Sequence, residues 1–183
     1  MKTIIRTIGE EITSILLKVD EEEAVKVSNQ LKRAKRIFVH GEGRSGLMGK
    51  AFAMRLMHGG YTVYVVGETI TPSISEGDLL ILISGSGSTS SIHELAVRAR
   101  DLGAIVTLVT TNRDSKIASV SHHLLVIPAA TKHRRSIQPG TIQPLGNQFD
   151  QSVHLLLDGI IIHSLKKNQK RNNEMLNRHA NLE

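Results

Sequence analysis

The leading part of the chain has the apolar spacing of amphipathic helices. In the first helix the apolar residues recur every three or four positions, at Ile4, Ile5, Ile8, Ile12, Ile15 and Leu16. This pattern leaves Glu10 and Glu11 on the opposite side of the helix. A second helix is expected to begin after Asp20, a good N-cap residue that precedes three glutamates. We therefore predict two leading helices within residues 1–34.

From residue 36 onward, short apolar runs alternate with helical patterns. The predicted strands cover 36–40, 62–66, 78–83, 105–109 and 124–127. The predicted helices cover 45–58, a stretch ending near Leu102, a short segment from Ser115, and 147–165. Strands that are apolar throughout are typical of parallel sheets covered on both faces. The alternation predicts an α/β fold, a three-layer α/β/α sandwich with a five-stranded parallel sheet in the order 2-1-3-4-5.

The length of 183 residues suits a single domain, with 1–34 as leading helices and 166–183 as a helical tail. One connection, residues 128–145, is longer than most loops in compact domains and carries the basic group Lys132, His133, Arg134 and Arg135. Long ordered loops are often functional. The helix that follows, 147–165, is too apolar for a surface helix, so we expect it to pack on the sheet and at a subunit interface.

Composition and charge narrow the class of protein. The chain has no cysteine, which excludes disulfides and Cys-ligated zinc, and its histidines show no metal-ligand spacing. The net charge of +6 comes with only 3% aromatic residues, too few to stack on single-stranded nucleic acid. Basic residues also group locally at Lys166, Lys167, Lys170 and Arg171, without a nucleic-acid motif. No apolar run is long enough to span a membrane, and no signal peptide is evident, so a cytoplasmic protein is expected.

A loop of small residues lies between the third predicted strand and the next helix. Six of its eight residues are Ser or Thr: Ser84, Ser86, Ser88, Thr89, Ser90 and Ser91. Glycines let the backbone approach a ligand, and a helix start offers unpaired N–H groups and a partial positive charge. A plain N-cap needs only one hydroxyl. The crowding favours a phosphate site over a simple cap.

A second glycine-rich loop, Gly41–Gly46, follows the first predicted strand. Its spacing fits the dinucleotide motif G-x-G-x-x-G, and Glu68 lies where a ribose-binding acid would stand. The lysine of a P-loop is absent, which argues against nucleotide hydrolysis. In a sheet of order 2-1-3-4-5, the loops after strands one and three meet at one crevice. We therefore predict one pocket for a compact phosphorylated substrate.

These loops and several other segments resemble the sugar isomerase (SIS) domain family and, within it, the 6-phospho-3-hexuloisomerases. The family's phosphate loop S-x-S-G-[ES]-T corresponds to Ser84–Thr89. Further similar segments are 43–46, 51–58, 66–69, 141–146 and 179–183. The resemblance implies tetramers that interconvert 3-hexulose 6-phosphate and fructose 6-phosphate in the ribulose monophosphate pathway, with no metal and no cofactor. It also implies that the protein forms a homo-oligomer and that its binding partner is a small sugar phosphate.

Site residues follow from the loops and the resemblance together. Substrate binding is assigned to Arg44, Ser45, Ser84, Ser86, Gly87, Ser88, Thr89, Ser90 and Ser91. Asp150 is the candidate base that moves the carbon-bound proton. An acid at a helix start can also serve only to stabilise the helix through its dipole. His58 is the candidate acid/base for the oxygens, in its own subunit or across a subunit boundary. His179 of the tail is a further candidate, which would close over the site of a neighbouring subunit.

The chain departs from the family pattern at two positions. It has Ser88 where the family usually has Glu in the phosphate loop, and Asp150 where the family usually has a Glu base. The shorter side chain keeps the carboxylate but changes its reach, and a displacement of about 1 Å can cost about a hundredfold in rate. Activity is expected to be retained, with its rate or its substrate open to change.

Three alternatives remain at this point. The same pocket would serve a non-catalytic sugar-phosphate sensor, although the leading 34 residues show no basic recognition helix. It would also serve an isomerase of a related ketose or aldose phosphate. The first glycine loop, taken alone, is compatible with a nicotinamide-dependent oxidoreductase.

Overall fold

The predicted sheet is confirmed. The structure, a computed structural model, describes residues 1–134, 138–165 and 171–182. Its strands are β1 (Ile37–Gly41), β2 (Val63–Val65), β3 (Leu79–Ile83), β4 (Ile105–Thr110) and β5 (His123–Val126). They form one sheet in the order β2-β1-β3-β4-β5, and every neighbouring pair is parallel. The reversal of direction therefore lies between β1 and β3.

The helices agree with the sequence pattern except at a few ends. They are α1 (Lys2–Leu16), α2 (Glu21–Arg33), α3 (Gly43–His58), α4 (Ser90–Asp101), α5 (Asn147–Ser164) and α6 (Arg171–Asn177). The short helix predicted from Ser115 is only a 3₁₀ turn, Ala118–Val120. Its shortness has a local cause, because Ser115 Oγ accepts the Ala118 amide and few residues remain before β5 begins. Arg135, Lys166, Lys167 and Lys170 of the basic groups lie outside the described residues.

Two apolar layers enclose the sheet and confirm the three-layer sandwich. Alternate residues of β3 point to opposite faces, as the two-residue period of a strand requires. Ile81 and Ile83 pack with the side that holds α1, α2, α3 and α5, whereas Leu80 and Leu82 pack with α4. All of β3 is buried. The helices after β1 and β3 thus leave the sheet on opposite sides and open a crevice between them.

Helices α5 and α1 can be compared with their predicted faces. In α5, Leu157, Ile160 and Ile161 are buried as predicted, whereas Leu155 and Ile162 are 50% and 62% exposed in the single chain, so the subunit interface stays a prediction. In α1, the opposite side predicted for the acidic residues is not all solvent-facing, because Glu11 contacts the loop at 141–143. Within the described residues, the helices are too short or too polar to cross a bilayer.

Candidate active site

A cleft of about 370 Å³ lies at the carboxyl ends of β1 and β3. Its lining residues come from four segments: 42–45, 83–92, 131–133 and 145–150. The first two are the glycine-rich loops, which the sheet order was predicted to bring together. The third and fourth are the two ends of the long loop 128–145 and the start of α5. The cleft is therefore built where ligands bind in open parallel sheets.

The glycines of both loops serve close packing of the backbone. A Cβ atom added at Gly46 would lie 2.5 Å from the Gly41 carbonyl oxygen. Gly87 has a φ of +65°, and a Cβ atom there would overlap Ser115 Oγ. The G-x-G-x-x-G spacing thus follows from the tight strand-to-helix turn and needs no dinucleotide.

Replacing Gly87 by Ala is expected to lower the free energy of unfolding by about 2–4 kcal/mol, because the variant combines left-handed strain with a steric overlap. Urea denaturation of the purified variant measures this change. Gly140→Ala is the matched control, since a Cβ atom at Gly140 meets no atom within 4 Å. A Gly87→Ala protein as stable as the control would show that the loop relaxes at little cost.

The hydroxyl groups of the Ser-rich loop divide into two sets. Ser86 and Thr89 line the cleft, and the Thr89 hydroxyl makes no capping bond to its helix. Ser84 also lines the cleft but is buried, and its Oγ accepts the Gly87 amide at 3.2 Å. Ser86 and Thr89 are therefore the hydroxyls best placed for a phosphate.

The remaining predicted members of that loop have other contacts. Ser88 donates its hydroxyl hydrogen bond to Ser86 Oγ at 3.0 Å. Ser91 donates to the carboxylate of Glu42, which ties the start of α4 to the other glycine loop. Gly87, Ser88, Ser90 and Ser91 do not line the cleft. Their predicted contact with substrate stays a prediction, and the structure gives Gly87 and Ser91 a supporting part.

Asp150 lies on the cleft wall in the first turn of α5. Only 9% of the residue is exposed. Its Oδ2 is 2.9 Å from Arg44 Nε, and the Ser45 hydroxyl also hydrogen-bonds to the carboxylate. Arg44 donates a further hydrogen bond to the Asn147 side chain. Three predicted site residues, Arg44, Ser45 and Asp150, are thus brought together.

The surroundings of Asp150 make it a stronger base than an ordinary aspartate. Burial raises the pKa of Asp150 above its usual value, and the charge and hydrogen bonds of Arg44 and Ser45 offset only part of that rise. A carboxylate with a raised pKa binds a proton more readily near neutral pH. A partly desolvated carboxylate facing a cleft suits proton transfer.

His58 and His179 do not reach this cleft within one chain. His58 ends α3, whereas Arg44 lies at its start, so about 20 Å of helix separates them. The His58 ring stacks on His179 at 5.1 Å, and Arg178 donates to the His58 carbonyl at 3.2 Å. Burial lowers the pKa of His58, and His179 and Arg55 lower it further. In its own chain His58 helps to hold the tail.

Several lining residues were not assigned from the sequence. Glu42 occupies a variable position of the glycine motif, so the motif gave no signal for it. The long loop contributes Thr131, Lys132 and His133. The length and charge of this loop indicate a function but do not identify individual residues. Within 1–134, 138–165 and 171–182, no group of three acidic or histidine residues is arranged to hold a metal ion.

Comparison with known proteins agrees with this architecture. The family model described as the SIS domain matches residues 30–143. The 3-hexulose-6-phosphate isomerase of Bacillus subtilis is 39% identical over 165 residues, which are 90% of this chain and 89% of that protein. The protein of the same name from Mycobacterium gastri is 39% identical over 178 residues, 96% of this chain and 88% of its own.

A solved structure extends the similarity to the whole fold. The hypothetical protein MJ1247 of Methanococcus jannaschii, whose crystal structure is described as inferring a 3-hexulose-6-phosphate isomerase function, superposes with a TM-score of 0.85. It is 31% identical, and the match covers 98% of both chains. The chain therefore belongs to the SIS domain family.

Proposed function

We propose that this chain is a sugar-phosphate isomerase that interconverts 3-hexulose 6-phosphate and fructose 6-phosphate. Relatives named for this activity match nearly the full length of the chain. The observation that carries the proposal is the placement of the Asp150 carboxylate in the same cleft as the hydroxyls of Ser86 and Thr89. One cleft thus offers both hydroxyl donors for a phosphate and a carboxylate for proton transfer.

The phosphate group is proposed to bind at the start of α4. Ser86 and Thr89 offer hydroxyl donors, and the first turn of the helix adds backbone N–H groups and a partial positive charge. Lys132 lines the same cleft and adds a cation. This end of the substrate undergoes no reaction, so its binding energy serves to position the carbons.

Asp150 is proposed to move the carbon-bound proton. From fructose 6-phosphate it removes the C3 proton, the C3 electron pair forms the C2–C3 double bond, and O2 takes up a proton to give the enediol. Asp150 then returns a proton to C2 while O3 loses its own, which leaves the carbonyl at C3. The proton count balances without an oxidant or a reductant. Arg44 lies beside Asp150 and can stabilise negative charge on the oxygens.

The oxygen protons need a second group, and two histidines are candidates. His133 lines the cleft of its own chain. His58 can take this role only in the cleft of a second copy, because it lies at the far end of α3. The exposed apolar residues of α3 and α5, among them Leu47, Leu155 and Ile162, support assembly of copies. We propose a homo-oligomer, with a tetramer favoured.

Mixing two inactive variants tests whether His58 acts in the cleft of another subunit. If it does, co-expressed His58→Gln and Asp150→Asn chains should recover about a quarter of wild-type activity, because randomly mixed oligomers then contain some intact sites. Activity of the mixture would be assayed with fructose 6-phosphate, beside each variant alone. A fully active His58→Gln protein would instead show that His133 or another group transfers the protons of the substrate oxygens.

The three other functions make different predictions for one experiment. Fructose 6-phosphate labelled with ¹³C, incubated with the protein alone, should give the 3-ketose signals in an NMR spectrum. A sensor would bind the sugar without forming them. An oxidoreductase would need an added nicotinamide, and the acid expected at its ribose, Glu68, instead pairs with Lys50 at 2.7 Å. An isomerase of a related sugar would turn over another phosphate faster.

A further inference from the structure

Glu11 of α1 holds a segment of the long loop that borders the cleft. Its Oε2 accepts hydrogen bonds from Thr141 Oγ1 at 2.5 Å and from Gln143 Nε2 at 2.8 Å. Its Oε1 accepts the backbone amide of Ile142 at 2.9 Å. Three consecutive residues therefore donate to one carboxylate that lies 130 residues away in sequence. Residue 11 also lies outside the range 30–143 matched by the family model.

The geometry favours an ionised carboxylate at this position. The three loop groups act as donors to Glu11, so a side chain that offers a donor of its own would lose part of the arrangement. Burial alone would raise the pKa of Glu11, but the hydrogen bonds from Gln143, Thr141 and Ile142 lower it below the ordinary value overall. Glu11 is therefore charged at neutral pH, and its hydrogen bonds are of the stronger, charge-assisted kind.

The contact of Glu11 with 141–143 is connected to both parts of the long loop that line the cleft, 131–133 and 145–146. The Gln143 carbonyl accepts a hydrogen bond from the Arg134 guanidinium, and Arg134 directly follows the lining residues Lys132 and His133. On the other side, Leu145 and Gly146 line the cleft two and three residues after Gln143. Gln143 itself is buried. A shift of 141–143 would therefore move both walls.

We infer that Glu11 is a positioning residue for the substrate cleft. It acts through Thr141, Ile142 and Gln143, and it keeps the loop walls at the distance that the sugar phosphate requires. This inference rests on the proposed isomerase function for its kinetic consequence, but not for the contact itself. Asp150 is held separately by Arg44 and Ser45, so loss of the contact should weaken substrate binding more than the chemical step.

The test compares Glu11→Gln with Glu10→Gln. Glu10 is the adjacent, exposed acid of α1, and the structure shows no hydrogen bond from its side chain to the described part of the loop. For Glu11→Gln we expect the KM for fructose 6-phosphate to rise about tenfold while kcat stays within about threefold, since charge-assisted bonds are lost at a distance from the base. Hydrogen exchange at the Ile142 amide should become at least about tenfold faster. Glu10→Gln should match the wild type in all three.

Thr141→Val provides a second route that leaves α1 unchanged. It removes one of the three donors to Glu11, together with the hydroxyl that accepts the Gln143 amide at 3.0 Å. It should also raise KM, by a smaller factor than Glu11→Gln does. If the wild type binds fructose 6-phosphate without turnover, the isomerase proposal fails, and the dissociation constant replaces KM in the comparison. If the wild type does not bind fructose 6-phosphate, the inference is tested by two other comparisons of Glu11→Gln with the wild type. These are the rate of hydrogen exchange at the Ile142 amide and the amide chemical shifts of Lys132 and Leu145. Unchanged exchange and unchanged KM in Glu11→Gln would overturn the inference.

Discussion

Replacing Asp150 by Asn is expected to lower kcat for fructose 6-phosphate by a factor on the order of 10³, because the amide cannot accept the C3 proton. The KM should change little, since the phosphate is bound by the loop at the start of α4. The measurement is steady-state turnover of purified wild-type and variant protein. Asp158→Asn is the matched control: it changes another acid of α5, one that pairs with His154 at 3.8 Å.

The pH dependence should follow the same carboxylate. Activity requires ionised Asp150, and its pKa is raised by burial. The acid limb of kcat/KM should therefore lie above the usual pKa of an aspartate, with activity falling as the pH drops through the raised value. An acid limb at the ordinary value would show that Asp150 is not the titrating base.

Stability separates loss of the base from loss of the fold. Because the folded pKa of Asp150 lies above the unfolded one, ionisation of this group opposes folding at neutral pH, and that cost disappears as the pH falls below both values. Asp150→Asn should therefore unfold at the same urea concentration as the wild type, or a higher one, at pH 7. A variant that lost activity and stability together would have lost its fold.

The double replacement of Ser86 and Thr89 by Ala is expected to lower kcat/KM by a factor on the order of 10². A hydrogen bond to a charged group contributes about 1.5–3 kcal/mol, so two of them support an effect of this size. The loss should appear mainly as a higher KM, measured by initial rates over a range of fructose 6-phosphate concentrations.

Ser119→Ala is the control for this pair, because its exposed hydroxyl donates to the Lys116 carbonyl, far in sequence from the cleft segments. It should leave both kinetic constants unchanged. If the double variant keeps a KM within about threefold of the control, the phosphate binds elsewhere, and the four other hydroxyls of 84–91 become the next candidates.

The fold was largely predictable because its strands carry strong local signals. β3 is apolar at all five positions and buried at all five, so a central parallel strand was the simplest interpretation. The order of the sheet then placed the two glycine-rich loops at one crevice. The prediction was weakest after β4, where a short helix was expected from Ser115 and the structure has a single 3₁₀ turn with the Ser115 hydroxyl at its start.

The site was only partly predictable because side chains of one type have different partners in space. Ser86 and Ser91 look equivalent in the sequence, yet one lines the cleft and the other bonds Glu42. His58 shares a helix with Arg44, but the rise of that helix carries it away from the cleft. Glu11 was predicted only to lie opposite the apolar face of α1. Its contact with residues 141–143 was not predicted, because no local sequence pattern indicates it.

Proton transfer by Asp150 is tested most directly by solvent exchange at carbon. Fructose 6-phosphate would be incubated in deuterated water with wild-type protein and with Asp150→Asn, and deuterium at C3 would be followed by NMR. Deuterium should be incorporated with the wild type and almost none with the variant, while both bind the sugar. Exchange that persists in the variant, or its absence in a wild type that binds the sugar, would contradict a proton transfer by Asp150.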